Sequence, residues 1–212
     1  MLFRSVSMRL EAKNIKFGYD SSRLVLDGVS LAVETGERVA LVGPSGCGKS
    51  TLSSILAGYI RPQGGTVTLD GEPLPKRGYS PVQMIYQHPE QAINPRWRLR
   101  KTLFEAWSPD ENLLAEIGIE AAWLSRYPNE LSGGEMQRFC IARALGPQTK
   151  FLIADEMSTM LDVITQAQIW DLTLKLAGRN GLGLLAVTHN MELAARISDR
   201  VICFEELAAT KD

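Results

Sequence analysis

A lysine and two hydroxyl residues follow closely spaced glycines in the stretch GPSGCGKST, residues 43–51. This stretch fits the phosphate-binding pattern GxxxxGK[ST], in which glycines let backbone N–H groups approach phosphate oxygens closely. In that pattern the Lys49 ammonium contacts the β and γ phosphates, and the Ser50 hydroxyl binds Mg²⁺. Cys47 stands at a position that the pattern leaves open, so its side chain needs no role. The predicted nucleotide-binding residues are Gly43, Pro44, Ser45, Gly46, Cys47, Gly48, Lys49, Ser50 and Thr51.

Two carboxylates and a histidine come directly after apolar stretches farther along the chain. Asp155 and Glu156 end FLIADE, and His189 follows LLAVT. Phosphoryl transfer needs mainly positioning and charge neutralisation, so we assign Asp155 to Mg²⁺ through its water shell. Glu156 is assigned to orienting and deprotonating the attacking water, and His189 is expected to reach the γ-phosphate or that water. Such residues are often ordinary solvated side chains, but the phosphate-binding loop upstream favours the functional interpretation.

A second glycine-bearing helix start lies in NELSGGEMQR, residues 129–138. Unpaired backbone N–H groups and the helix dipole make such a start a favourable site for an anion. Ser132, Gly133 and Gly134 open the predicted helix, and Glu135 lies in its first turn. One triphosphate tail is already held by the first loop, so a second anion site has to face something else. From the residues alone, a well-capped helix with no further role is the alternative.

The elements that must position these residues alternate between strands and helices. Strands that are apolar throughout are predicted at 38–42, 151–154 and 182–187, directly before the loop, the carboxylates and the histidine. Such strands, separated by helices, indicate a parallel sheet covered on both faces, with ligands at the carboxyl ends of the strands. Half-buried strands are predicted at 8–19 and 26–33, where polar and apolar residues alternate. The other predicted elements are helices at 49–57, 163–177 and from 191, and strands at TVTLD, 82–87 and RVICF.

The stretch between residues 94 and 146 shows a helical period and no strand, which predicts an inserted helical subdomain. The whole chain of 212 residues is expected to form one domain, residues 1–212. The seven residues before Met8 are expected to be a dispensable leader.

Composition limits the class of protein further. The formal net charge of -1 gives no general attraction to nucleic acid or acidic lipid. The three scattered cysteines form no CxxC pair, which indicates a reducing compartment with neither a disulfide framework nor a zinc site. No apolar run approaches the roughly 18 residues of a membrane span, and charges interrupt any signal-peptide core. The expected location is therefore the cytoplasm.

The order of motifs resembles the ATP-binding-cassette (ABC) ATPase family from Met8 to about Phe204. The loop at 43–51, the signature LSGGE at 131–135 and the D-loop pattern SxxLD at 158–162 carry this resemblance. Gln87 matches the Q-loop glutamine, and the carboxylates and histidine match the Walker B motif and the switch histidine. Tyr19, in FGYD, matches the aromatic residue that stacks on adenine.

The resemblance implies an α/β fold, the P-loop NTPase ABC ATPase cassette. Its parts are a mostly parallel core sheet, an N-terminal antiparallel β subdomain and an inserted α-helical subdomain. The implied cofactors are ATP and Mg²⁺. The implied roles are catalytic for Lys49, Gln87, Glu156 and His189, metal-binding for Ser50, Gln87 and Asp155, and D-loop for Asp162.

The resemblance also explains the second helix start. In this family two cassettes pair head to tail, and the signature of one closes on the ATP held by the loop of the other. Ser132, Gly133, Gly134 and Glu135 would then act in trans, on the nucleotide of a partner. ATP joins the two cassettes, and hydrolysis releases them.

Two short stretches are similar to the oligopeptide, dipeptide and nickel importer branch of the family. They are YQHPEQAINPRWRLRK around Gln87 and DVITQAQIW after the D-loop. This similarity implies transmembrane permease subunits, a second ABC ATPase subunit of the same or another kind, and indirectly an external substrate-binding protein. It also implies a location on the cytoplasmic face of the cell membrane and a cargo of peptide, nickel or a metal chelate.

A DNA-processing ABC ATPase is the rival class. Such proteins carry coiled-coil arms, zinc modules or a second cassette, whereas here only 83 residues separate Lys49 from Ser132, without heptads or cysteine pairs. The basic run RWRLRK at 96–101 is read as a solvated loop and helix start, with permease docking next and nucleic acid last. No nucleic-acid partner is expected.

A non-hydrolysing partner cassette is the third class, and the intact set of catalytic residues argues against it. Two departures from the family pattern stand beside that set. Met157 replaces the usual proline, which is predicted to loosen the turn after Glu156. Met160 replaces a usual small residue and is predicted to crowd the contact between two cassettes.

Overall fold

The structure is a computed structural model that describes residues 7–20 and 23–209, with side chains described as far as residue 207. Residues 1–6 of the expected leader lie outside the described residues. Within the described part of the chain, no helix combines the length and the apolar character needed to cross a membrane.

A four-stranded antiparallel sheet comprises β1 (Arg9–Phe17), β2 (Leu26–Glu34), β4 (Gly64–Leu69) and β5 (Glu72–Pro73) in the order β2-β1-β4-β5. Alternation along β1 turns Leu10, Ala12 and Ile15 toward the core, where each is buried. The predicted antiparallel strands are therefore confirmed, although β1 ends at Phe17 rather than at residue 19 and the short β5 was not predicted.

A five-stranded sheet forms the centre of the fold. It contains β3 (Arg38–Val42), β6 (Val82–Ile85), β7 (Phe151–Asp155), β8 (Gly183–Thr188) and β9 (Arg200–Cys203). The order is β6-β7-β8-β3-β9, and every neighbouring pair is parallel. All residues of β7 and β8 are buried, as expected for a parallel sheet covered on both faces. The carboxyl ends of β3, β7 and β8 therefore meet at one edge.

Seven α-helices complete the described part of the chain. They are α1 (Lys49–Leu56), α2 (Leu99–Leu103), α3 (Glu111–Ile117), α4 (Gly133–Ala144), α5 (Val163–Arg179), α6 (Met191–Ile197) and α7 (Phe204–Ala209), with 3₁₀ turns at Pro89–Gln91, Ala121–Ser125 and Pro128–Glu130. Residues 94–146 hold α2, α3 and α4 and no strand, as the helical period predicts. One apolar core packs these helices and α5 against the parallel sheet, and a second fills the space between the two sheets and α1.

At two positions near the site, Phe204 and Met157, the structure differs from the sequence prediction because the side chain is buried. The strand predicted at RVICF ends at Cys203, and Phe204 begins α7 with its ring in the core behind the phosphate-binding loop. Met157 is only 1% exposed and belongs to the larger core. Burial of the Met157 side chain thus anchors the turn that the missing proline was predicted to loosen.

Candidate active site

The stretch 43–51 connects β3 to α1 as a tight loop. Gly48 is the N-cap of α1, with a φ of 116°, in the left-handed region. A Cβ there would lie 3.0–3.1 Å from side-chain atoms of Leu26, Val25 and Phe204. The backbone conformation therefore favours glycine at this position, and a Cβ would also be tightly packed. The predicted strand, loop and helix are all present, and the first turn of α1 carries no acidic residue that would oppose an anion.

Lys49 is buried in this loop and folds back onto it. Its Nζ donates hydrogen bonds to the carbonyl oxygens of Gly43 and Pro44, both at 2.8 Å. The side chain is thus held at the carboxyl end of β3, with its charge within electrostatic reach of Asp155.

Ser50 and Asp155 meet although 105 residues separate them along the chain. The Ser50 hydroxyl donates to Oδ1 of Asp155 at 3.1 Å. Burial raises the pKa of Asp155 above its usual value, while the Ser50 hydrogen bond and the charge of Lys49 oppose this rise and Glu156 adds to it. Hydroxyl and carboxylate oxygens are hard ligands of the kind that Mg²⁺ prefers, so the pair fits this ion.

Glu156 has its backbone in the left-handed region, with a φ of 46°. Its N–H donates to the carbonyl of Val187 in β8 at 3.0 Å. Its side chain meets His189, whose Nδ1 lies 3.3 Å from Oε1 of Glu156. Such a conformation is costly for a residue with a side chain and is concentrated at functional sites. The two carboxylates thus face different partners, Ser50 and His189.

Gln87 follows β6 and reaches the same edge of the sheet. Its Nε2 donates to Oγ1 of Thr159 at 2.9 Å, and that hydroxyl donates to the carbonyl of Glu156 at 2.9 Å. Sequence reasoning missed Thr159. It occupies one of the two open positions of the pattern SxxLD, so no signal in the chain singled it out.

Tyr19 lies beside the phosphate-binding loop. Its hydroxyl is 3.0 Å from Oγ1 of Thr51 in α1, and its ring packs edge-on against Phe17. Tyr19 is nevertheless 69% exposed. An aromatic face held next to the loop and open to solvent is available for stacking.

The second helix start is a capping box at the N-terminus of α4. The Ser132 hydroxyl accepts from the N–H of Glu135 at 3.3 Å, and the Glu135 carboxylate accepts from the N–H of Ser132 at 2.7 Å. Ser132 and Gly133 are exposed. A Cβ on Gly134 would lie 2.7 Å from the methyl group of Thr165, so this turn of α4 lies directly against the start of α5.

Exposed apolar side chains surround that contact. Met160, Val163 and Ile164 are 63%, 81% and 72% exposed, and they lie on the D-loop and the first turn of α5. Asp162 caps α5, accepting from the N–H groups of Ile164 and Thr165 at 3.0 Å, and the hydrogen bonds with Thr165 lower its pKa. We call Ser132, Gly133, Met160, Val163 and Ile164 the signature surface.

The structure therefore brings the predicted residues together in two groups. Hydrogen bonds and close contacts at the carboxyl edge of the sheet link Lys49, Ser50 and Asp155 on one side, and Gln87, Glu156 and His189 on the other. Among the described residues, no hydrogen bond or ion pair joins the signature residues 132–135 to the loop 43–51. Ser132 and Gly133 instead open to the surface, and Gly133 lines a small pocket together with Gln87.

The comparison with protein families matches residues 26–159 to a model described as ABC transporter. The chain belongs to the ABC transporter family. It is an ABC ATPase with the fold of an ATP-binding cassette, as the resemblance of the motifs implied.

The names of two relatives of this ABC ATPase specify a transported substrate. It is 36% identical over 207 residues to the nickel import ATP-binding protein NikE of Escherichia coli strain 536, covering 89% of this chain and 77% of NikE. It is 35% identical over 216 residues to the putative oligopeptide transport ATP-binding protein YkfD of Bacillus subtilis strain 168, covering 91% of this chain and 66% of YkfD.

Solved structures agree with this cassette fold. A dimeric post-hydrolysis state of the ATP-binding cassette MJ0796, bound to ADP and Pi, superposes with a TM-score of 0.76 at 27% identity, over 92% of this chain and 93% of that chain. The cassette CbiO1 from Clostridium perfringens, at 24% identity and a TM-score of 0.75, shares the fold over 92% of this chain and 83% of that chain.

Proposed function

We propose that this ABC ATPase is the ATP-binding subunit of an importer, and that it hydrolyses Mg²⁺-ATP in a head-to-tail pair of cassettes. The observation that carries the proposal is that the signature residues Ser132 and Gly133 are exposed and, among the described residues, make no hydrogen bond or ion pair with the loop 43–51. The loop, the metal pair and the base lie at one edge of the sheet, while Ser132 and Gly133 are exposed at the start of α4. Each chain then supplies two half-sites, and each half-site needs a partner.

At the first half-site the residues of the loop bind the phosphates. Lys49 exchanges its carbonyl contacts for phosphate oxygens, and Tyr19 stacks on the adenine. Ser50, Asp155 and Gln87 would supply the oxygens that hold Mg²⁺. When bound, Mg²⁺ neutralises charge on the phosphate oxygens during transfer.

Glu156 and His189 act on the attacking water and the γ-phosphate. The carboxylate of Glu156 lies beside His189, which suits a base that receives a proton from water. His189, next to that carboxylate, orients it and contacts the γ-phosphate. The separate hydrogen-bond partners of the two carboxylates, Ser50 and His189, support this division.

The second half-site is the signature surface of the partner cassette. Ser132 and the N–H groups of Gly133 and Gly134 bind the γ-phosphate in trans, and Glu135 holds that turn in shape. Exposed apolar side chains next to these groups favour a protein partner over solvent. A dimeric cassette bound to ADP and Pi, MJ0796, provides the structural parallel. A triphosphate that binds the closed pair better than the open one shifts the equilibrium toward closure.

We further propose that the chain is one cassette with a helical subdomain at about 94–146, and that it works on the cytoplasmic face of the membrane beside permease subunits. A groove of about 750 Å³ lies between the Q-loop side of the sheet and the helices, lined by aromatic residues that include Tyr59, Tyr86 and Trp107. This groove is the proposed seat of a cytoplasmic permease helix. The names of NikE and YkfD favour nickel, a metal chelate or a peptide as cargo.

The test is co-purification of the chain with permease subunits, followed by measurement of its ATP turnover. The chain, expressed with its candidate permease subunits, is expected to remain bound to them in detergent and to hydrolyse Mg²⁺-ATP faster than it does alone. Retention on DNA at physiological salt, without retention by the membrane subunits, would instead support a DNA-processing ATPase. The uptake of radioactive nickel and of short peptides is then compared between wild-type cells and cells that lack the chain. The compound whose uptake is lost is the cargo.

A further inference from the structure

Thr159 contacts two residues of the proposed machinery at once. Its hydroxyl lies 2.9 Å from Nε2 of Gln87 and 2.9 Å from the carbonyl oxygen of Glu156. The backbone N–H of Thr159 also donates to that carbonyl, at 3.1 Å. The hydroxyl is thus the one described hydrogen-bonding group between the Q-loop and the turn of Glu156.

The directions of these hydrogen bonds can be assigned from donors and acceptors alone. A carbonyl oxygen only accepts, so the single hydroxyl proton of Thr159 is committed to Glu156. The hydroxyl can then only accept from Gln87. The amide nitrogen of Gln87 is a donor and its amide oxygen is not, so the nitrogen must face Thr159 and the oxygen must face away.

We propose that Thr159 is a positioning residue that fixes the amide orientation of Gln87, so that the oxygen of Gln87 is the atom available to Mg²⁺. This inference rests on the proposed function, in which Gln87 is a metal ligand. In this proposal Thr159 contacts Gln87 and Glu156 and is not itself a ligand of the metal. It acts on the metal site through Gln87. Its position is in turn fixed by the carbonyl oxygen of Glu156, which accepts from both the hydroxyl and the backbone N–H of Thr159.

The hydroxyl is required because the two ends of an amide have nearly the same shape. Without an acceptor at position 159, the nitrogen and oxygen of Gln87 can exchange places, and a nitrogen turned toward Mg²⁺ offers it no lone pair. Valine has the shape of threonine without the hydroxyl, and serine has the hydroxyl without the methyl group. Both substitutions keep the backbone N–H bond to Glu156.

The experiment measures binding of a fluorescent ATP analogue, mant-ATP, with Mg²⁺ and with EDTA. We expect Thr159→Val to bind like the wild type in EDTA and about fivefold more weakly in Mg²⁺, which is the size of one lost hydrogen bond. Thr159→Ser is expected to restore the Mg²⁺ response. Thr173→Val is the matched control, since Thr173 is a buried threonine of α5 that donates only to the carbonyl of Ile169.

A double-mutant cycle with Gln87→Ala separates positioning from a general loss of structure. If Thr159 acts through Gln87, then Thr159→Val has no further effect on the Mg²⁺ response when Gln87→Ala is already present. Additive losses in the double variant would overturn the inference, and so would a full Mg²⁺ response in Thr159→Val. Failure of the wild type to bind mant-ATP at all would instead refute the proposed function.

Discussion

His189 and Glu156 stand side by side at the carboxyl ends of β8 and β7, with Nδ1 of the histidine 3.3 Å from Oε1 of the glutamate. The glutamate side chain is 16% exposed and the histidine side chain 52% exposed. The carboxylate is therefore partly shielded while its neighbour is accessible from solvent. Ser50 and Asp155 contact each other instead, so the proposed function assigns water activation to the first pair and metal binding to the second.

Replacing Glu156 by glutamine is expected to leave ATP binding intact and to slow hydrolysis by about 10²-fold or more, because the amide cannot accept the proton of the attacking water. The variant is also expected to accumulate as a closed dimer in ATP, measured by light scattering after gel filtration. Glu192→Gln, on the exposed first turn of α6, is the matched control. Undiminished turnover in Glu156→Gln would remove Glu156 from its role.

Lys49→Ala is expected to weaken nucleotide binding by about 10- to 100-fold, since charge-assisted hydrogen bonds to phosphate are lost. The affinity is measured with mant-ATP in the isolated chain. Lys150→Ala removes an exposed lysine just before β7 and controls for the change in net charge. An unchanged affinity in Lys49→Ala would refute the assignment of the loop to phosphate.

Substitutions of Ser132 separate its cap from its proposed action in trans. Aspartate caps a helix about as well as serine, so Ser132→Asp is expected to keep the stability of the fold. Its negative charge, however, would face the γ-phosphate of the partner, and hydrolysis is expected to fall to background while the monomer binds ATP normally. Ser132→Asn, a neutral cap, is the control.

Ser132→Ala gives the complementary result, with a loss of about 1 kcal/mol in the free energy of unfolding from the missing cap. Urea unfolding and mant-ATP titration of the monomer measure the two effects. A large loss of monomer affinity in Ser132→Asp would show that Ser132 acts on the nucleotide of its own chain.

Sequence patterns were sufficient for the core of the fold. Strands β3, β7 and β8 are short, apolar and followed by glycine, acidic or histidine residues, so their parallel arrangement also placed Lys49, Asp155 and His189 at one edge. Patterns failed where packing decides. In the sequence, Phe204 continues the apolar strand RVICF. In the structure its side chain packs behind Gly43 and Gly48, and the residue begins α7 instead.

The site shows the same division. The loop and the carboxylates have recognisable spacing, but the left-handed backbone of Glu156 depends on a hydrogen bond to Val187, 31 residues away in a neighbouring strand. No local signal reports such a contact. Thr159 could not be identified from the sequence for a similar reason, because its proposed role depends on a hydroxyl that lies between two elements distant in the chain.

Asp155→Asn is expected to stabilise the free protein. Burial raises the pKa of Asp155 above the ordinary 3.8, so the fold favours the protonated form, and the charged form costs stability. That cost is absent below the unfolded pKa and appears as the pH rises through the folded pKa. The free energy of unfolding of Asp155→Asn should therefore exceed that of the wild type at neutral pH, with the difference shrinking as the pH falls toward about 3.8.

With Mg²⁺ and ATP bound, the wild type should instead be more stable than Asp155→Asn. A ligand that binds only the native state stabilises it by RT ln(1 + [L]/Kd), so tighter binding gives more stability. An asparagine at position 155 is expected to hold Mg²⁺ less well than a carboxylate. Thermal unfolding with EDTA and with saturating Mg²⁺-ATP, at neutral pH, measures both halves of the prediction. If the wild type is more stable than Asp155→Asn in EDTA, the buried carboxylate stabilises the fold and the first half is wrong. If Mg²⁺-ATP stabilises both proteins equally, the ion binds elsewhere and the second half is wrong. Asp171→Asn, on α5, is the control for the loss of one charge.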